Sequence, residues 1–231
     1  MTGGLAVTDF DDITEPLPQR LTEGLLRLGT ALRSQSWRRA TELGITPTQM
    51  EILILLQHRP RPQMLKALVE QTALTTATVS DAVKALAAKG LLQKGKVEDD
   101  KRAVAISLTE AGAAVAKQAG DWSHFLAEAA QSLPETEQLA FLQAVIGLIR
   151  TLQERDQIPV TRMCVSCRHF QPYRHPDGER PHHCGLVDAP FGQRHLRLDC
   201  AEHEVAEPDL AQHNWAAYAR VIPLTLPGRG G

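Results

Sequence analysis

The hydrophobic period of this chain changes abruptly at Gly90, and that change constrains the fold more than any other feature of the sequence. Before it, Thr75 or Thr76 caps TATVSDAVKALAAK, in which Val79, Val83 and Leu86 share one face of a helix. After it, LLQKGKV and RAVAISL are β-capable segments joined by EDDK, which predicts a hairpin with a charged tip. Upstream, QMLKALVEQT is a short helix that meets the capped one through a turn. Short helix, turn, capped helix and charged hairpin is the order of a winged helix-turn-helix.

Helical segments flank this unit. From Leu17 onward, Leu21, Leu25, Leu28 and Leu32 recur on one face, which predicts a long amphipathic helix ending near Gly44. Thr46 and Pro47 start the next helix, MEILILLQH, and RPRP at 59–62 interrupts it. Thr109 caps an alanine-rich helix through AGAAVAKQAGDWSHFLAEAAQ, and LAFLQAVIGLIRTLQE carries a strong apolar face. Residues 1–16 have no helical period and form a flexible arm; PDLAQHNWAAYARVI gives a last helix before a PGRGG tail.

The capped helix leaves Thr75, Thr76, Thr78, Ser80, Asp81 and Lys84 towards solvent. Small hydroxyl side chains near a helix N-terminus suit a helix lying in the major groove, with N–H groups and hydroxyls on phosphates and side chains on base edges. Net charge is only −2, yet Arg59 to Arg102 holds nine Lys or Arg against five Asp or Glu. That local excess is what phosphate neutralisation requires. A solvated face on an ordinary helical domain is the plainer reading of the same spacing.

The stretch AKGLLQKGKVEDDKRAVAISLTEAG resembles the signature of MarR-type winged-helix regulators. Gly90 ends the recognition helix, Asp100 and Arg102 form the Asp-x-Arg wing, and Leu108, Thr109 and Gly112 open the next helix. The resemblance covers roughly residues 17–155. It implies a DNA-binding and dimerisation domain over 17–157 and a homodimer whose first and last helices interlock. It also implies two wings straddling a pseudo-palindromic operator of double-stranded DNA. In that pattern Arg102 enters a minor groove and Asp100 orients it, which suits a guanidinium in a narrow, negative groove. MarR-type dimers also take small aromatic compounds near the dimer interface, where this chain has Trp122, Phe125 and Phe141.

All four cysteines fall at the other end of the chain, as C-x2-C-x16-C-x15-C: Cys164, Cys167, Cys184 and Cys200. Without a basic, apolar leader the chain is expected in the cytoplasm, where thiols stay reduced and clustered cysteines point to metal. Four thiolates complete the ligand set of an iron–sulfur cluster or of structural zinc. The second close pair usual in zinc ribbons is missing, so [4Fe-4S] is the expectation and zinc the alternative. Over this short stretch the chain also resembles the ligand pattern of high-potential iron–sulfur proteins, with Phe170 and Leu186 in matching places. Six of the nine histidines lie between 169 and 203, which keeps a Cys3His zinc site open.

The expected fold class is therefore mainly α with a small β-hairpin. A winged helix-turn-helix and helical dimerisation region come first, then a small irregular metal-binding module over 158–205 and a helix with tail over 206–231. No Gly-rich phosphate loop, nucleotide fingerprint or nucleophile–base pair stands out, so an enzyme is not expected. No apolar run is long enough to span a membrane. The functional expectation is a DNA-binding regulator, a repressor, whose metal centre senses redox state or iron. The alternatives are a ligand-responsive repressor with structural zinc and an iron–sulfur electron-transfer protein.

Overall fold

Local signals set most of the helix ends in the computed structural model, which describes residues 14–59, 61–97, 100–176 and 178–220, with backbone alone at 96–97, 100–103 and 220. Helix α1 (Leu17–Glu42) stops where Gly44 turns to φ +65° and the Ile45 N–H reaches back to the Ala40 carbonyl at 2.9 Å. Thr46 then caps α2 (Pro47–Gln57): its Oγ1 accepts from the Gln49 N–H, and the Gln49 side chain accepts from the Thr46 N–H.

Strand β1 (Gln63–Met64) leads into α3 (Leu65–Thr72), and Ala73, left-handed at φ 55°, turns the chain towards α4 (Thr76–Ala88). Gly90 at φ +70° closes α4, with the Leu91 N–H bonded to the Leu86 carbonyl at 3.0 Å. Strands β2 (Leu92–Val97) and β3 (Asp100–Leu108) follow as an antiparallel pair. The hairpin is part of a larger unit: β1 joins β3, giving a three-stranded sheet in the order β1-β3-β2. A two-residue strand is too short to show alternation, so only its pairing reveals it.

Helices α5 (Glu110–Ala119), α6 (His124–Gln131) and α7 (Glu135–Glu154) complete this part. One continuous helix was the expectation through Gln131; instead a 3-10 turn over Gly120–Ser123 separates α5 from α6. Gly120 and Asp121 are poor helix formers at the break. Met50, Ile52, Leu53, Leu68, Val79, Leu86 and Ile106 form the buried aliphatic core that joins α2, α3, α4 and the sheet.

The C-terminal part corrects the expected fold class, because it is not an irregular metal-binding module. It contains a second antiparallel sheet, β4 (Phe170–Gln171), β5 (His182–Cys184) and β6 (Ala189–Phe191) in that spatial order, and a helix α8 (Pro208–Arg220). Its core is Met163, Val165, Phe170, Leu196 and Tyr218, packed on Ile146 of α7. A polar chain runs through that core. The His182 Nδ1 accepts from the Tyr173 N–H, its Nε2 meets Gln193 Oε1 at 2.9 Å, and Gln193 Nε2 donates to the Tyr218 hydroxyl. Burial holds His182 below the usual imidazole range and pushes the Tyr218 phenol up to about 12, so both are neutral near pH 7. Among the described residues, no helix is long and apolar enough to cross a membrane.

Candidate DNA interface

Two faces of α4 have opposite environments. Val79, Val83 and Leu86 are buried, while Thr75, Thr76, Thr78, Asp81 and Lys84 are exposed and Ser80 is half-buried. Thr75 is committed to the helix start: its Oγ1 accepts from the Thr78 N–H at 3.2 Å and shares a 2.8 Å hydrogen bond with the Thr78 hydroxyl. Thr76 has the freer hydroxyl, beside the positive end of the helix dipole. Lys84 Nζ lies 3.1 Å from Asp81 Oδ1, one turn earlier on the same face. Asp81 therefore partners the lysine here, an exposed pair of little energetic weight that a phosphate can exchange.

The Leu-Thr-x-x-Gly motif has a geometric origin. The Thr109 hydroxyl donates to the Gly90 carbonyl at 2.7 Å and accepts from the Gly112 N–H at 3.0 Å, and the Thr109 N–H donates to the Leu91 carbonyl. This ties the end of α4 to the start of α5 across the base of the hairpin. A Cβ on residue 112 would sit 1.9 Å from the Leu91 carbonyl oxygen, so this approach requires glycine. Lys89, which the sequence reading missed, donates from Nζ to the Gly44 carbonyl at 2.6 Å and to Gln49 Oε1. Its only local sign is a cation just past a helix end.

Asp100 and Arg102 belong to β3, but their side chains lie outside the described residues, as does the tip at 98–99. On β2, Gln93 and Lys94 are exposed. Helix α4 and the hairpin are thus tied to one another and to α5 by hydrogen bonds at the C-terminal end of α4.

A family model described as "Winged helix DNA-binding domain" matches residues 45–112, from the start of α2 to Gly112. The "Organic hydroperoxide resistance transcriptional regulator" of Bacillus subtilis (strain 168) is 32% identical over 117 residues, spanning 50% of this chain and 77% of that protein. The chain belongs to the MarR family. Two solved structures share the fold. One is a MarR family transcription regulator (TM-score 0.52, 19% identity, 61% of this chain and 95% of that one). The other is the Staphylococcus aureus MepR–DNA complex (TM-score 0.51, 16% identity, 57% of this chain and 97% of that one). A MarR-family chain is a transcriptional regulator and not an enzyme.

The cysteines of this MarR-family chain do not form the expected centre. Cys164, Cys167, Cys184 and Cys200 line one cavity of about 40 Å3, with Phe170 and Phe191 in its wall. Among the described residues, no group of three or more His, Cys, Asp or Glu side chains is arranged to hold a metal ion. This overturns the [4Fe-4S] cluster, the zinc alternative and the likeness to high-potential iron–sulfur ligation. With them go the metal-sensing function and the electron-transfer reading.

The surrounding groups are engaged otherwise. Burial pushes the Cys164 thiol up, the hydrogen bond from the Arg197 N–H opposes that, and the other three thiols add to the rise. The Cys164 sulfur instead accepts from the Arg197 N–H at 3.3 Å. The nearby histidines have other partners: His183 with Asp188 and His175, His203 with Ser166, and His169 with Glu204.

A larger cavity, about 710 Å3, lies between α1, α2, the strap at 158–162 and Leu198–Asp199. Trp122 lines it, whereas Phe141 is exposed on α7. Partial desolvation raises the carboxyl of Glu51, an exposed residue on its wall.

Proposed function

We propose that the chain is a sequence-specific repressor that reads a pseudo-palindromic double-stranded operator as a homodimer. Residues 17–157 read DNA and dimerise, and the four-cysteine region with α8 forms a separate C-terminal unit. Thr76, Thr78 and Lys84 face the major groove with Thr75 setting the helix start, Ser80 stands at the edge of that face, and Asp100 and Arg102 serve the wing. The observation that carries this reading is the two-sided α4, its apolar face in the core and its hydroxyl and lysine face free. The dimer is supported by Leu17, Leu21, Leu25 and Leu28, exposed along α1 at helical spacing with no cover from the other described residues.

Selection of bound duplexes from a random double-stranded pool, followed by anisotropy titrations of the recovered duplex, tests this. Two half-sites about one helical turn apart are expected, with affinity falling steeply with salt. Lys84→Ala should weaken binding and reduce the salt slope by about 1. No enrichment from the pool, or a Lys84→Ala titration superimposed on wild type, would remove α4 as the reading helix.

A further inference from the structure

Besides packing on α7, the C-terminal unit reaches the α2–α3 end of the DNA-reading unit through the Asp199 carboxylate, held by two arginines. Arg162 Nε donates to Asp199 Oδ1 at 2.8 Å from the strap that follows α7. Arg59, just past α2, donates to the same carboxylate across 140 residues of sequence: Nη1 to Oδ2 at 3.1 Å and Nη2 to Oδ1 at 3.4 Å. Although burial opposes it, these two guanidinium partners hold the Asp199 carboxyl below its ordinary range.

The Arg59 side chain is only 6% exposed. Its Nε and Nη2 both donate to Gln71 Oε1, and Gln71 Nε2 donates to the Ala67 carbonyl inside α3. Asp199, Arg59, Gln71 and α3 therefore form one continuous chain of hydrogen bonds. On the far side, the Cys200 N–H donates to the Arg162 carbonyl at 3.0 Å, which fixes Asp199 to the strap. Among the described residues, Arg162 otherwise has a single 3.4 Å bond to the Ala201 carbonyl, and its buried Nη2 has no partner.

What surrounds this clasp matters as much as its bonds. Arg59, Gln71, Arg162 and Asp199 all line the 710 Å3 cavity, so the two units meet here around empty space and not through a packed core. A seam without close packing loses little dispersion energy when it opens. Without the carboxylate, two poorly solvated cations face the same gap and repel each other. An ion pair across such a seam can part without unpacking a core, and a two-state element is what coupling between distant sites requires.

We propose that the Asp199 clasp is the joint through which the C-terminal unit sets the position of α3, and with it the DNA affinity of α4. This rests on the DNA-reading role of α4 proposed above. Clasped, Arg59 holds Gln71 and α3 against α4; released, α3 loosens and DNA affinity falls.

Hydrogen exchange and DNA titration on the full-length chain carrying Asp199→Asn, and separately Arg162→Gln, test the joint. Peptides covering 65–72 should exchange faster in both variants, while those covering 208–220 stay protected. Affinity for the selected duplex should fall at least about fivefold, the lower edge of ordinary coupling between sites. Unchanged exchange at 65–72 in both variants overturns the proposal. So does unchanged DNA affinity despite faster exchange. Loss of protection across 164–206 and 208–220 in both variants would also overturn it, since the carboxylate would then merely hold the C-terminal unit together. If wild type selects no duplex, the DNA-reading proposal has failed, and exchange at 65–72 alone decides the joint.

Discussion

The winged-helix region and the C-terminal unit are similar in needing a buried core and differ in how the chain specifies one. In the first, several helices announce their own ends: Thr46 and Gln49, Gly44, Thr75, Gly90 and Thr109 all act within a few residues of themselves. Its core is aliphatic and contains few polar groups. In the second, strands of two or three residues have no capping signals, and the core combines Phe170, Tyr218 and Phe191 with a fully buried histidine. The comparison teaches that local signals suffice where helices dominate. Where they do not, aromatic packing and long-range hydrogen bonds decide the fold.

The largest effect should come from Phe170→Ala. Phe170 is 3% exposed and touches His182, Phe191 and Tyr218, so truncation should cost about 3–5 kcal/mol. Thermal unfolding followed by tryptophan fluorescence should show the C-terminal transition, reported by Trp215 beside Tyr218, fall well below that of the winged-helix region. A single transition shifted as a whole would break the comparison, because the two cores would then unfold as one.

Gly112→Ala is the converse experiment. Its Cβ would collide with backbone that cannot swing aside, and overpacking of this kind costs about 1–3 kcal/mol. Hydrogen exchange should rise at the α4–α5 junction and leave 164–206 unchanged. Wild-type protection at residues 86–92 in the variant would show that the junction can shift without cost.

A pH titration sharpens the contrast with the smallest effect. His182 and His203 are held below their ordinary range chiefly by burial. A depressed pKa means the unfolded state binds the proton first. Their contribution is therefore complete above about pH 6.5 and is lost as pH falls through the folded values. Glu51, exposed in the winged-helix region, is raised by partial desolvation, so its small contribution is complete below about pH 4.3 and lost as pH rises through the folded value. Acidification from pH 7 to 5 should thus lower the melting temperature of the C-terminal unit and not that of the winged-helix region. Equal shifts in both would show that these histidines are not what distinguishes them.

Much of the candidate DNA interface was legible because it is built from neighbours in sequence. Val79, Val83 and Leu86 determined which face of α4 is buried, and the hydroxyl face followed from the helical period. The same reading misassigned the cysteines. Four thiols and six histidines in one segment suggested metal ligation, but their partners were invisible. Gln193 for His182, Asp188 for His183 and Glu204 for His169 can be identified only once the strands are paired.

The sequence by itself determined most of the helices, the caps at Thr46, Thr75 and Thr109, the hairpin and the family, because those depend on interactions across a few residues, where the chain has little conformational choice. Only the tertiary structure decided that Gln63–Met64 completes a sheet, that Gly112 sits against Leu91, and that Asp199 meets Arg59. A contact across 140 residues leaves no periodic trace in the sequence, since the entropy of closing so long a loop is repaid by the whole fold and not by the pair that happens to touch.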